Sequence, residues 1–228
     1  MHGRTWTTRI AVSVAAVAVT SLTAVGAAPA TAASAPAAAR SATATYAVPT
    51  APAPAAGAHA GLADVDYETW KRDVSAVTDV ARPYLEQRIS QGSGEKMAIV
   101  LDIDNTSLET HFHPLWEYPT PPVQQTLDLA RYADSRGVAV YFVTARPGII
   151  YSLTKCNLEK TGFPISGLYV RDLPDLFEEV SKYKTAKRAE IEAKGYKIIA
   201  NIGNTPTDMV GGHAEKTFKL PDYDGALS

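Results

Sequence analysis

Residues 97–109 read MAIVLDIDNTSLE. Five apolar residues, Met97 to Leu101, run without interruption into Asp102, Ile103, Asp104, Asn105 and Thr106. This is the pattern of a strand buried on both faces that empties into a polar loop. In open α/β folds the carboxyl ends of such strands carry the ligand sites. The period of two in extended chain puts Asp102 and Asp104 on one side, so two carboxylates share a small volume. Their repulsion is relieved by a divalent cation, or by a phosphoryl group with basic partners.

Outward from this stretch, apolar and turn patterns alternate. Residues 66–91 carry Trp70, Val74, Val77, Val80, Ala81, Tyr84, Leu85 and Ile89 at helical spacing, with Pro83 as a point of kinking or splitting. Helices are expected over 123–136, 148–160 and 177–194, and strands over 138–143, 168–170 and 197–202, with a fifth at 216–219. Strand–helix alternation requires right-handed crossovers, hence an α/β, Rossmann-like three-layer fold: a parallel sheet of about five strands with helices on both faces. Only 37 residues separate Thr106 from Thr144, and four prolines fall within 107–122. That leaves room for a rigid loop and a small cap or none. Clusters at Asp102, Thr144 and Asn204 end successive strands and converge above one sheet edge.

The first residues have a different character. Arg4 and Arg9 precede an apolar run over 10–19, and Ala30-Thr31-Ala32 follows, the tripartite layout of a secretory signal peptide over 1–32. Residues 33–60, almost entirely Ala, Pro, Ser, Thr and Gly, lack the large side chains needed to offset ordering entropy and read as a disordered linker. Residues 61–228 are then the folded domain, secreted and free of membrane once the leader is removed. Residues 1–60 hold three Arg and no acidic residue, leaving 19 basic side chains against 24 acidic, about −5. No basic field exists to hold nucleic acid. The single cysteine, Cys156, excludes an intrachain disulfide and reads as a buried, inert thiol.

Asp102-Ile103-Asp104-Asn105-Thr106 resembles DxDxT, the first motif of the haloacid dehalogenase (HAD) superfamily. The resemblance implies Asp102 as nucleophile, forming an aspartyl phosphate, and Asp104 as general acid and then base. Thr144, after Tyr-Phe-Val, is similar to the second motif, a hydroxyl for the phosphoryl oxygens. Tyr183-Lys184-Thr185-Ala186-Lys187-Arg188 resembles the Y-K-S/T-x-x-R pattern of the secreted acid phosphatase branch, which selects Lys184 as the catalytic lysine. Gly203-Asn204-Thr205-Pro206-Thr207-Asp208 is similar to the metal-holding GDxxxD, with Asn in place of the first Asp and one negative charge lost. The resemblance thus implies a Mg²⁺-dependent phosphomonoesterase acting on small phosphate monoesters. Its metal residues are Asp102, Asp104, Asn204 and Asp208; its substrate-binding residues are Asn105, Thr106, Arg146 and Arg188. His111 and His113 are placed at the rim or surface, with contact to substrate or metal as the alternative. Two other readings stand beside this one: a catalytically quiet HAD-fold binding or storage protein, and a phosphotransferase to alcohol acceptors.

Overall fold

The strand at Met97–Leu101 (β1) is the centre of a five-stranded, all-parallel sheet with order β3-β2-β1-β4-β5. Its neighbours are Ala139–Pro147 (β2) and Lys197–Gly203 (β4), with Gly167–Arg171 (β3) and Thr217–Lys219 (β5) at the edges. The computed structural model describes residues 65–114 and 116–227. The proposed signal peptide (1–32) and linker (33–60) lie outside the described residues.

All five residues of β1 are buried, and they alternate between two cores. Met97, Ile99 and Leu101 join Val140, Phe142, Ile199 and Ile202 under Tyr67–Gln91 (α1), Gln124–Ser135 (α2) and Tyr151–Thr161 (α3). Ala98 and Val100 join Tyr141, Val143, Tyr183, Ile191 and Ile198 under Val180–Ala193 (α4). The uninterrupted apolar run is the signature of a strand with helices on both sides.

α1 begins at its N-cap Asp66, whose side chain accepts from the Thr69 N–H, and runs unbroken through Pro83. Pro83 sits on the exposed side. The buried stripe is Trp70, Val74, Thr78, Ala81 and Leu85; Val80 is 57% exposed. Thr78 takes the position on the stripe by returning its hydroxyl to the carbonyls of Val74 and Ser75. Gly162 closes α3 at φ 86°, a left-handed position where a side chain would also collide with Arg131. Cys156 in α3 is partly buried, where full burial was expected.

Between Asp102 and Val123 the described chain forms no helix or strand, only isolated bridges of Leu108 to Asp104 and to Pro122. The site therefore has no separate cap domain among the described residues. Two predicted helices start late: 3₁₀ turns at Gly148–Ile150 and Asp175–Phe177 precede α3 and α4. β2 extends past the predicted Val143 through Thr144 to Pro147, pairing irregularly with Arg171. No described helix is long and apolar enough to cross a membrane.

Candidate active site

Asp102 leaves β1 still tied to the sheet, its N–H donating to the Ile202 carbonyl at 2.9 Å. The chain then folds back tightly, with the N–H groups of Thr106, Ser107 and Leu108 converging on the Ile103 carbonyl at 3.2, 2.8 and 2.9 Å. Asn105 accommodates this turn with φ 54°, a left-handed conformation that Asn tolerates better than most residues. Beyond it lies a cavity of about 610 Å³ whose lining includes Asp102, Asp104, Asn105, His111, Lys184 and Asn204.

The Lys184 Nζ lies between two buried carboxylates, 2.8 Å from Asp102 Oδ1 and 2.5 Å from Asp208 Oδ1. α4 delivers it. Val180, Lys184 and Arg188 follow at four-residue spacing, so one helix face supplies a cavity wall, the lysine and an anchor below it. Burial pulls the Lys184 ammonium downward, but the Asp102 and Asp208 charges outweigh it and hold the amine above its ordinary range. Burial pushes the Asp102 carboxyl up to about 7; Lys184 opposes this, and Asp208 and Asp104 add to it.

Asp208 is hydrogen-bonded through both carboxylate oxygens. Its second oxygen accepts from the Thr205 N–H at 3.0 Å and the Thr205 hydroxyl at 2.8 Å, the capping box of Pro206–Met209 (α5). Its carbonyl accepts from Asn201 Nδ2 at 2.6 Å and Arg188 Nη1 at 3.2 Å. Asp208, expected as a metal ligand, here pairs with Lys184. The signal for the capping box, Thr205 followed three residues later by Asp208 with Pro206 at the first helical position, is visible in the sequence. Gly203 lets the carboxylate approach, because a Cβ there would overlap Asp208. Gly203→Ala is expected to displace the Lys184 anchor, costing about 1–3 kcal/mol by overpacking and lowering turnover more than ten-fold. Thermal melting beside a kinetic assay checks both.

The other expected residues divide. Asp104, its side chain 43% exposed, receives a two-point fork from Arg146: Nη2 to Oδ1 at 2.7 Å and Nε to Oδ2 at 3.0 Å. Thr144 is 1% exposed at the bend of β2, its hydroxyl accepting from the Arg146 N–H at 3.2 Å. Arg188, expected to bind substrate, is 1% exposed and donates to the carbonyls of Gly212, Asp208 and Val210, so it braces the α4–α5 junction. Thr106 is fully buried and donates to Asn204 Oδ1 at 3.4 Å, a brace between the loop after β1 and the loop after β4. Asn105 is likewise a brace: its Oδ1 accepts from the His111 N–H at 2.8 Å and its Nδ2 donates to the Leu227 carbonyl at 2.9 Å. His111 lines the cavity, whereas His113 turns away to Glu117 and Glu109 at 3.0 and 3.2 Å. Leu227, on the cavity wall, was not anticipated from the sequence.

The residues that the resemblance assigns to a metal, Asp102, Asp104, Asn204 and Asp208, offer oxygen donors to a cation, and the first three line the cavity. This suits a hard cation such as Mg²⁺, which binds through one or two carboxylates and keeps several waters. No cluster of three or more His, Cys, Asp or Glu able to hold a metal occurs among the described residues.

Comparison with known proteins agrees with this geometry. The chain is similar to Acid phosphatase 1 of Solanum lycopersicum, 24% identical over 173 residues, covering 67% of this chain and 68% of that protein. It is 32% identical over 106 residues to the Stem 28 kDa glycoprotein of Glycine max, spanning 42% of that protein's length and 45% of its own. Its fold matches the class C acid phosphatase from Bacillus anthracis with a TM-score of 0.57 at 21% identity, covering 71% of this chain and 83% of that one. A profile described as HAD superfamily, subfamily IIIB (Acid phosphatase) matches residues 20–117 and 116–226. Because that match runs through the Asp102 strand end, the Lys184 helix and the Asn204 loop together, the chain belongs to the HAD superfamily, subfamily IIIB (acid phosphatase).

Proposed function

We propose that this chain is a secreted, Mg²⁺-dependent phosphomonoesterase working through an aspartyl phosphate on Asp102. The observation that carries the reading is the buried Asp102–Lys184–Asp208 cluster beside an accessible Asp104 at the mouth of one cavity. Export rests on the tripartite leader over 1–32.

Asp102 is held by β1 and Lys184 so that one carboxylate oxygen attacks phosphorus while the ester oxygen leaves on the far side. The Lys184 ammonium, clamped by two carboxylates, lies where it meets charge on the transferring phosphoryl oxygens. Asp104 gives its proton to the departing alcohol, then takes one from the water that hydrolyses the aspartyl phosphate, releasing inorganic phosphate. In the free site Arg146 holds both Asp104 oxygens. An incoming phosphoryl group competes for the same guanidinium, which favours planar two-oxygen partners of either kind. Asp102, the Asp104 carbonyl and Asn204 would hold Mg²⁺, which would supply charge that keeps the Asp102 carboxylate ionised and offsets the phosphoryl charge.

Phosphate release from phenyl phosphate by the full chain, with Mg²⁺ or with chelator, tests the reading between acid and neutral pH. No release at any pH from a folded chain would favour a binding or storage role; product on an added alcohol would favour a phosphotransferase.

A pH effect on stability follows. The Asp102 carboxyl is raised from 3.8 to about 7, so between those values the native state binds the proton that the unfolded chain releases. The metal-free domain therefore loses stability from this group as pH rises through that window. Lys184, protonated throughout, contributes a constant term. Mg²⁺ is expected to raise the melting temperature more at pH 7 than at pH 4.5, since it binds the ionised form. Asp102→Asn should flatten the pH slope of the metal-free protein, as scanning calorimetry would show.

A further inference from the structure

The substitution of Asn for Asp at position 204 coincides with a contact that only an amide can make. Asn204 Nδ2 donates to the Leu227 carbonyl at 2.9 Å, and Asn105 Nδ2 donates to the same oxygen at 2.9 Å. The three residues are 1%, 5% and 1% exposed in the order Asn204, Asn105, Leu227, so water does not compete for the carbonyl. The chain reaches this point from β5 through Leu220, whose N–H donates to the Gly203 carbonyl at 2.9 Å. It then passes a turn in which Tyr223 and Asp224 both have positive φ, 50° and 54°. Two successive left-handed residues other than glycine persist only where surrounding contacts over-determine them. The contacts at hand are the Tyr223 hydroxyl on Asp73 at 2.6 Å, the Leu227 N–H on the Asp222 carbonyl at 3.1 Å and the two amides on the Leu227 carbonyl.

We propose that Asn105 and Asn204 form a latch that fastens residues 220–227 into the active-site wall and couples that wall to the rim loop at Thr110 and His111. Asn105 is the hub. Its donor holds Leu227, while its Oδ1 accepts from the His111 N–H at 2.8 Å and the Thr110 hydroxyl at 3.3 Å. Thr110, His111, Asn204 and Leu227 all line the cavity. The latch therefore sets the shape that receives the ester, while the Asp102 and Lys184 geometry stands on other contacts. It also gives position 204 a positive reason to be Asn: an ionised Asp has no donor and would set its charge against the Leu227 carbonyl. The departure from GDxxxD is then an exchange of ligand charge for a wall contact.

Two near-isosteric substitutions test this in the full chain, Asn105→Asp and Asn204→Asp. Each removes one donor to Leu227, and Asn105→Asp leaves the acceptor for His111 in place. Amide hydrogen exchange is expected to quicken by about ten-fold over residues 220–227 in both, with the His111 amide still protected in Asn105→Asp. The kinetic arm rests on the phosphomonoesterase reading: Asn105→Asp should raise KM for phenyl phosphate by about five-fold or more with kcat changed by less than two-fold. Unchanged exchange over 220–227 in both variants would overturn the latch, as would a loss confined to kcat. Exchange responding as expected in a wild-type chain that hydrolyses no phosphate ester would support the latch while refuting the activity. A simple loss of metal charge at position 204 predicts instead that Asn204→Asp tightens Mg²⁺ binding and leaves 220–227 untouched.

Discussion

Asp102→Asn is expected to lower turnover of phenyl phosphate by about 10⁴-fold or more while the domain stays folded. The amide has no anionic oxygen to attack phosphorus, and no other carboxylate is placed to replace it: Asp208 is hydrogen-bonded through both oxygens and Asp104 faces Arg146. The fold should survive because the substitution preserves shape and leaves Lys184 paired with Asp208. It also removes a carboxyl that burial disfavours in its charged form. Loss of activity with a retained melting temperature separates a chemical role from a packing role.

Lys184→Met carries the second large effect, on stability and activity together. It leaves the Asp102 and Asp208 carboxylates, 6% and 3% exposed, adjacent and without a cation. Breaking a buried pair from one side costs about 3–5 kcal/mol, against about 0–1 for an exposed pair. For a domain of this size that lowers the melting temperature by on the order of 10 °C. The cost belongs to the ionised carboxylates; because Lys184 opposes the upward shift of the Asp102 carboxyl, its removal raises that carboxyl further, so the cost should be largest at alkaline pH and level off once Asp102 is protonated in both proteins. Lys184→Met combined with Asp208→Asn should regain much of the stability and none of the activity. If the double variant regained activity as well, Lys184 would be a structural cation alone.

What the sequence reveals follows the range of the interactions involved. The two-faced strand at Met97–Leu101, the alternation of strands and helices and the placement of clusters at strand ends are local patterns, and the sheet realises them, except that β2 runs on through Thr144 to Pro147. The Asp102–Lys184 pair, 82 residues apart, was accessible only through motif resemblance, since α4 offers Lys182, Lys184, Lys187 and Arg188 with nothing in their charge to choose among them. Helix phase decides: positions 180, 184 and 188 share the face turned to the site, and the depth along it puts Lys184 beside Asp102 and makes Arg188 a carbonyl brace. Asp208 carries two sequence signals at once, a metal-like motif and a capping box, and its second oxygen accepts from the Thr205 N–H and hydroxyl of the box. The Leu227 contact spans 122 residues to Asn105, with a backbone acceptor that has no sequence signature at all.

The proposed aspartyl-phosphate chemistry requires a covalent bond from Asp102 to phosphorus. Acid quenching during steady-state turnover of phenyl phosphate with Mg²⁺, followed by peptide mass spectrometry, should find one phosphoryl group on the peptide containing Asp102, removed by hydroxylamine as an acyl phosphate is. Robust turnover with that peptide unmodified at every quench time, and persisting in Asp102→Asn, would contradict it.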